Sequence, residues 1–248
     1  MIILLIGSVL AYEALNCSKY YKYYGDELKQ KLRENTYDNY HSTLGYKNAR
    51  KYMYSYIDNN NGSLEGIYSG YNMPCEYGSM STSCNPEVNC EHIVPQSFFN
   101  ENDPMKSDLH ILKPEKDAVN SARSNYPFDK IDNDEVYKWY KNSTITTQKP
   151  SDPENWSKLA KSPYRWEPRD EYKGYVARAV FYFYTMYPEY DISRIGNGKN
   201  LLKWNSKFDP TSEEIERNNM VEKYQGNRNP YIDCPELVYN AFEDLWAN

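Results

Sequence analysis

The stretch that most constrains this chain runs from residue 90 to residue 128 and gathers most of its candidate reactive side chains. It contains two of the three histidines, a carboxylate beside the first of them, and an amide and a guanidinium one helical turn apart. These residues are Glu91, His92, His110, Asn120 and Arg123. The apolar pattern predicts a strand at 88–94, a polar loop, a second strand at 108–112, and a helix at 115–124 with Pro114 in its first turn.

The remaining sequence predicts a single helix-rich domain of α+β structure. The chain has 248 residues and 27 tyrosines, so tyrosine rings must supply much of the core. Helices are expected at 18–34, 46–57, 170–187, 201–208, 212–224 and 235–246. A further strand is expected at 64–71, whereas 125–166 shows no clear pattern.

The charge balance limits the kind of partner that the chain can bind. The net charge is −6, from 29 Lys and Arg against 35 Asp and Glu. This excess of acid argues against a broad basic face that would clamp nucleic acid. It still permits a local basic groove, and a bound cation would add positive charge that the count omits.

The N-terminus resembles a secretory signal. Residues 2–10 are apolar and are followed by small residues, which predicts a signal peptide over 1–16 and a mature domain over 17–248. The segment is too short to span a membrane, and no other stretch could. We therefore expect a secreted protein, or one held in a periplasm or vesicle lumen.

Five cysteines fit an oxidising compartment of that kind. They predict two disulfides and one remaining thiol, with one local bridge among Cys75, Cys84 and Cys90. The alternative is a structural zinc site made by the same three cysteines and His92.

The central stretch offers the groups that phosphodiester cleavage requires. A base must take a proton from the attacking water, and the charge on the phosphoryl and leaving oxygens must be balanced. His92 is the candidate base, because a neutral imidazole can accept a proton near neutral pH. Glu91 and Asn120 offer oxygen ligands for Mg²⁺, which keeps several waters and so needs few protein ligands. Arg123 could hold a phosphate through two hydrogen bonds.

One geometric condition applies to this arrangement. Adjacent residues of a regular strand point to opposite faces. Glu91 and His92 can therefore serve one site only if the strand twists, ends or bulges there.

Several segments resemble the endonuclease I family of secreted, non-specific nucleases, which have a His–metal finger (ββα-metal) core. The resemblance starts from CEHIVPQSFF, SDLHILKP and AVNSARSNYPF, which occur in that order and at similar spacing. It extends over about residues 45–236 through LEGIYSGY, RWEPRDEYKGYVARAVFYFYTMYP and LLKWNSKFDPTSEEIERNNMVEKYQGNRNPYID. The resemblance implies a helix-rich α+β domain built around a ββα-metal core.

The resemblance also implies a role for each matched residue. Glu91 and Asn120 would be the metal ligands and His92 the general base, with Mg²⁺ as cofactor and Mn²⁺ or Ca²⁺ able to replace it. The implied reaction hydrolyses DNA, and RNA as well, to 5′-phosphorylated products with little sequence preference. His110 would have a structural role behind the residues that contact metal or substrate. We expect the protein to be a monomer.

The chain departs from the family in the loop after the first strand. Some relatives carry an arginine there that steadies the cleaved phosphate, but residues 98–107 have no arginine and only Lys106. Either Lys106 or Arg123 would have to replace it. Further phosphate contacts that position the substrate without reading its sequence are expected from the C-terminal half. These are Arg169, Arg178, Gln225, Asn227 and Arg228. The alternative for them is a solvated or buried position, with an arginine paired to Glu167 or Glu171.

A second function remains open, that of a catalytically silent nucleic-acid-binding protein on the same fold. The intact set of Glu91, His92 and Asn120 argues against it.

Overall fold

A long buried helix forms the centre of the protein, whose computed structural model describes residues 13–245. Helix α4, Asp170–Met186, has every residue of 173–186 buried, which confirms the helix predicted at 170–187. Its sequence carries a wide apolar face, which has to be covered by other elements. It ends just before Pro188, which cannot continue a helix.

Among the other helices, those at 25–36, 198–207 and 230–233 pack against α4. The other helices are α1 Gly25–Thr36, α2 Tyr46–Tyr52, α3 Asp117–Arg123, α5 Gly198–Lys207, α6 Ser212–Gln225, α7 Pro230–Asp233 and α8 Leu237–Ala241. The prediction at 46–57 is confirmed, with the last turn a π-helix at Met53–Ile57. Thr211 caps α6 by accepting a hydrogen bond from the Glu214 amide at 3.2 Å, as the spacing of these two residues predicts.

The strands form three small antiparallel sheets. They are β1 Asn59–Asn60, β2 Ser63–Glu65, β3 Asn72–Pro74, β4 Val88–His92, β5 Leu112–Lys116, β6 Val136–Lys141, β7 Thr144–Thr146, β8 Ser157–Lys161 and β9 Tyr164–Glu167. Their order is β1-β2-β3 in the first sheet, β4-β5 in the second and β7-β6-β8-β9 in the third. Helices and antiparallel sheets together make the fold α+β, as expected.

The central stretch forms a ββα unit in which the second strand starts later than predicted. Strand β5 pairs with β4, placing Leu112 opposite His92 and Lys113 opposite Glu91, and α3 follows directly. The predicted strand at 108–112 was wrong because residues 108–111 form a buried turn, in which the Ile111 amide donates to the Asp108 carbonyl at 3.1 Å. Pro114 lies in β5, which tolerates it because a two-stranded sheet leaves one edge of each strand unpaired.

Two further segments, one predicted as a strand and one left unassigned, differ from the sequence pattern for tertiary reasons. The segment 64–71 leaves its strand at Glu65, because the buried Glu115 carboxylate accepts hydrogen bonds from the Tyr68 and Ser69 amides at 2.6 and 3.1 Å. Most of the β7-β6-β8-β9 sheet lies in the unassigned stretch 125–166. Its strands contain only three to six residues, and the adjacent side chains of Trp139 and Tyr140 are both buried, which hides the two-residue period.

The cysteines pair as the sequence predicts. Cys17 bonds to Cys234, Cys75 bonds to Cys84, and the buried Cys90 keeps its thiol. The alternative zinc site is therefore wrong, because two of its four ligands are consumed by a disulfide. Most of the predicted signal peptide, residues 1–12, lies outside the described residues, as does the end of the last predicted helix, and the boundary at residue 16 stays a prediction. Within residues 13–245, no helix is both long and apolar enough to cross a membrane.

Candidate active site

The end of strand β4 places His92 in a fixed orientation. Its Nε2 lies 3.1 Å from the backbone oxygen of Lys106. A carbonyl oxygen can only accept a hydrogen bond, so Nε2 must carry the proton. The neutral ring therefore presents Nδ1 as its basic atom, and the 3₁₀ turn Met105–Ser107 sets the tautomer.

The surroundings of His92 keep it uncharged at neutral pH. Its side chain is buried beside the rings of Tyr46 and Phe99, whose centroids lie 5.4 and 6.3 Å away. This burial lowers the pKa of His92 to about 4. A ring that is neutral at pH 7 can accept a proton, which is the state that a general base requires.

Glu91 lies inside the protein beside one cation and one hydroxyl. Tyr68 donates a hydrogen bond to Oε1 of Glu91 at 2.7 Å, and Nε of Arg123 lies 3.3 Å from the same oxygen. Burial raises the pKa of Glu91 to about 7, although Arg123 and Tyr68 both oppose that shift. Sequence analysis missed Tyr68, because only the fold brings residues 23 positions apart into contact.

Asn120 lies on α3, next to strand β4. Its Nδ2 is 3.5 Å from the Cys90 carbonyl, which places the amide beside the residue that precedes Glu91. Among residues 13–245, no group donates a hydrogen bond to its Oδ1. The structure thus brings Asn120 and Glu91 to the same part of the ββα unit.

Glu91 and His92 lie at the end of their strand, which is one of the arrangements that would let two adjacent strand residues serve one site. Strand β4 stops at His92, and both Glu91 and His92 are buried. The Arg123 guanidinium lowers the pKa of both residues, so both lie within its electrostatic reach.

Arg123 is not placed to bind a phosphate as the sequence suggested. Only 1% of its surface is exposed, and its Nη1 and Nη2 donate to the carbonyls of Ser124 and Ile93 at 2.7 and 2.9 Å. Its Nε makes no hydrogen bond within the described part of the chain, so its contact with Glu91 is an ion pair. The guanidinium fixes the end of α3 and partly neutralises Glu91.

Lys106 contributes to the site chiefly through its backbone. Its carbonyl orients His92, whereas its ammonium forms a 2.7 Å ion pair with the exposed Glu101. That ion pair lies near the surface, where it is worth little. The predicted contact between Lys106 and substrate therefore stays a prediction.

The two arginines of the long helix and its lead-in are held by carboxylates. Arg178 is buried and makes a two-pronged pair with Glu214, at 2.7 Å from Nε and 2.6 Å from Nη2. Arg169 pairs with Glu65 and Glu171. A phosphate could reach Arg178 only by displacing a buried ion pair, and the predicted contact between Arg178 and substrate stays a prediction. For Arg169 the ion-paired alternative is the one that the structure shows.

The C-terminal residues predicted to contact substrate are buried as well. Gln225 accepts from the Leu109 amide at 2.7 Å, and Asn227 donates to the Tyr182 hydroxyl at 2.9 Å. Arg228 is buried against Asp233 at 2.7 Å. These buried amides and the guanidinium already have partners within the protein, and their assignment as substrate contacts stays a prediction. Gln225 and Asn227 hold the 108–111 turn that leads into β5.

His110 lies in that turn and is also buried. Its Nε2 donates to the Asn227 carbonyl at 3.1 Å, and its ring packs 4.6 Å from that of Tyr182. These contacts agree with the expected structural role of His110.

Protonation of His110 should link acid to unfolding. Burial lowers the pKa of His110 from 6.5 to about 4. The folded protein thus binds this proton more weakly than the unfolded chain does, and the resulting stability is complete above pH 6.5 and is lost as the pH falls towards 4. Between the two pKa values the free energy of unfolding falls by about 1.4 kcal/mol per pH unit, so by about pH 5 this histidine has cost on the order of 2 kcal/mol of stability.

The variant His110→Gln tests this linkage. We expect it to remove that part of the difference in unfolding free energy between neutral and mildly acidic solution, measured by urea denaturation. His92 and His41, whose pKa values are also lowered by burial, keep their contributions in the variant. An unchanged pH dependence would contradict the prediction.

The donor set beside β4 suits a hard divalent cation. Burial raises the pKa of Glu91 to about 7 even with Arg123 beside it, so the guanidinium offsets the cost of the buried charge only in part, and a cation would supply more positive charge. Glu91 and Asn120 provide oxygen donors, which Mg²⁺ prefers. Among residues 13–245, the only trio of His, Cys, Asp or Glu at ligand spacing is Cys17, Cys234 and Glu236, whose two sulfurs bond to each other. A metal at Glu91 would therefore rest on few protein ligands and several waters, as Mg²⁺ usually does.

The fold and this site define an α+β protein whose ββα unit holds a neutral imidazole in the same unit as buried oxygen donors. The chain belongs to the Endonuclease I family, whose model matches residues 24–236. This match confirms the resemblance found in the sequence.

Comparison with curated proteins finds relatives with nuclease names. An extracellular ribonuclease of Bacillus subtilis (strain 168) is 33% identical over 182 residues, covering 64% of this chain and 54% of that protein. An extracellular ribonuclease of Bacillus amyloliquefaciens is 35% identical over 156 residues, covering 56% and 46%. Endonuclease-1 of Buchnera aphidicola subsp. Baizongia pistaciae is 31% identical over 128 residues, covering 52% and 46%. The chain spans about half the length of these relatives.

Proposed function

We propose that this protein is a secreted, metal-dependent endonuclease that hydrolyses phosphodiester bonds of RNA and DNA. The observation that carries the proposal is the hydrogen bond from His92 Nε2 to the Lys106 carbonyl, which leaves Nδ1 as a base next to the buried Glu91. Family membership and the nuclease names of the relatives support it. The two disulfides and the extracellular relatives support secretion.

In this proposal the chain's own residues activate water and hold the cofactor. Nδ1 of His92 takes a proton from the attacking water, whose oxygen bonds to phosphorus as the bond to the 3′-oxygen breaks. The products are a 5′-phosphate and a 3′-hydroxyl, which takes its proton from solvent. Glu91 and Asn120 would hold Mg²⁺, for which Mn²⁺ or Ca²⁺ could substitute. When bound, the ion would balance the charge on the phosphoryl and leaving oxygens.

Chelation tests the metal requirement. We expect the purified protein to degrade both plasmid DNA and single-stranded RNA in Mg²⁺, EDTA to abolish this cleavage, and added Mg²⁺ to restore it. Cleavage that persists in EDTA would overturn the metal requirement. No cleavage with Mg²⁺, Mn²⁺ or Ca²⁺, by protein shown to be folded, would favour the silent binding protein instead.

A second measurement reports on the ligands independently of cleavage. A ligand that binds only the folded protein raises the free energy of unfolding by RT ln(1 + [L]/Kd), where [L] is the concentration of free ligand. We expect Mg²⁺ to raise the unfolding temperature of the parent protein and to raise it less in Glu91→Gln. Equal shifts in the two proteins would remove Glu91 from the ligand set.

A further inference from the structure

Helix α2 lies beside the proposed base and is basic along its whole length. Its sequence, YKNARKY, contains Lys47, Arg50 and Lys51 and no acidic residue. The helix packs against the 3₁₀ turn Met105–Ser107, whose Lys106 carbonyl fixes His92. It therefore brings uncompensated positive charge to one side of the site, in a protein whose net charge is −6.

Tyr46 connects this helix to His92. Its ring lies 5.4 Å from the His92 ring. The Arg50 guanidinium carbon lies 4.5 Å from the Tyr46 ring centroid, and the Lys106 ammonium lies 5.5 Å from the same centroid. One aromatic ring is thus in contact with the imidazole and with two cations.

Arg50 differs from most arginines of the chain in having no carboxylate partner. Seven of the nine arginines lie within 4 Å of a carboxylate oxygen. Within residues 13–245, no ion pair or hydrogen bond involves the Arg50 guanidinium, and its Nε is buried without a partner. Arg194 also lacks a carboxylate, but it stacks on Phe98 and has no such buried atom. Buried polar atoms are usually paired, so an unpaired guanidinium beside an active site points to an anion from outside the protein.

We propose that Arg50 binds a phosphate of the substrate strand next to the bond that is cleaved at His92, with Tyr46 supporting its guanidinium. Stacking on an aromatic face leaves the N–H edge of a guanidinium free to donate two parallel hydrogen bonds to a phosphate. Arg50 thereby fills the role for which residues 98–107 provide no arginine and for which Arg123 is too deeply buried. The assignment rests on the proposed nuclease function.

The number of ionic contacts tests this assignment. Affinity for a short fluorescein-labelled single-stranded DNA is measured at several NaCl concentrations, in a His92→Ala background that prevents cleavage, with Mg²⁺ present. The slope of log K against log [NaCl] is negative, and loss of one phosphate contact reduces its magnitude by about 0.7 for a single strand. We expect Arg50→Gln to show that decrease and to bind roughly tenfold more weakly, as loss of a charged hydrogen bond implies. A folded Arg50→Gln with the parent slope and affinity would overturn the proposal.

Two further variants complete the design. Arg33→Gln removes an exposed arginine of α1 that pairs with Asp38, and it should leave slope and affinity unchanged. If Arg50→Gln does not fold, Arg50→Lys keeps a cation over Tyr46 but loses the planar fork, so it should keep the slope and bind more weakly. Parent affinity in Arg50→Lys would then overturn the proposal.

The outcomes separate this assignment from the function on which it rests. If the protein with His92 intact degrades nucleic acid in Mg²⁺ while Arg50 variants bind like the parent, only Arg50 is wrong. If the intact protein neither cleaves nor binds nucleic acid, the proposed function fails and the Arg50 assignment fails with it.

Discussion

Replacing His92 by alanine is expected to reduce cleavage of DNA and RNA by about 10²- to 10⁴-fold, the usual contribution of a positioned general base. The imidazole is the group that accepts the water proton in the proposed reaction, and its Nδ1 is made basic by the hydrogen bond from Nε2 to Lys106. The measurement is the initial rate of plasmid and RNA degradation in Mg²⁺, normalised to folded protein. Binding of nucleic acid should persist, because the phosphate contacts lie elsewhere.

His110 provides a matched control for this experiment. Both histidines are buried, both have a pKa lowered to about 4, and both donate Nε2–H to a backbone carbonyl at 3.1 Å. They differ in that His92 adjoins Glu91, whereas His110 lies in the 108–111 turn. His110→Gln should therefore keep its cleavage rate at neutral pH, while His92→Gln, the same substitution, should lose it. Equal losses in the two variants would attribute the effect to damaged packing rather than to a missing base.

Comparison of His92→Ala with the parent protein distinguishes an enzyme from a silent binding protein. Under the nuclease proposal, His92→Ala separates binding from cleavage. A parent protein that binds nucleic acid and leaves it intact would show that the ββα unit has kept its fold and lost its chemistry. Cleavage by His92→Ala at the parent rate would instead remove His92 from the role of base.

The sequence predicted the elements whose signals are local. Helix α4 follows from a continuous apolar pattern, and the start of α6 follows from Thr211 and Glu214, whose hydrogen bond forms within one turn. Glu91 and His92 were identified because they are adjacent, and their position at the end of β4 resolves the objection that strand neighbours diverge. Family resemblance then supplied the roles that spacing alone could not.

The partners of many polar side chains could not be predicted, because only the tertiary structure brings them together. A basic residue in a motif can face substrate or a buried carboxylate, and Arg178 meets Glu214 across 36 positions of sequence. Likewise, Gln225 is tied to the Leu109 amide across 116 positions. Tyr68 and Arg50 gave no sequence signal, because one is a tyrosine in a tyrosine-rich chain and the other a cation on an ordinary helix. Their significance follows from what lies next to them.

Removal of the Cys17–Cys234 disulfide should be the most destabilising change outside the core. The bond joins residues 217 positions apart, so it restricts nearly the whole unfolded chain. Chain-entropy arguments give about 5.4 kcal/mol for a loop of that size, against about 2.6 kcal/mol for a loop as short as that of Cys75–Cys84, with a separation of 9. We therefore expect the double variant Cys17→Ser/Cys234→Ser to lose about 3 kcal/mol more unfolding free energy than Cys75→Ser/Cys84→Ser.

Urea denaturation of the two double variants, with the remaining pairing checked by mass spectrometry, measures this difference. Each variant retains one disulfide and the buried Cys90 thiol, so the two proteins differ mainly in the size of the loop that is opened. Equal losses, or a larger loss from Cys75→Ser/Cys84→Ser, would show that local contacts outweigh loop entropy. The Cys17–Cys234 bond also holds the N-terminal segment to the end of α7, where the Leu15 amide donates to Asp233 at 3.1 Å. Because this contact is distant in sequence from the ββα unit, molecules of the variant that remain folded should cleave nucleic acid at the parent rate, so that stability and activity change independently.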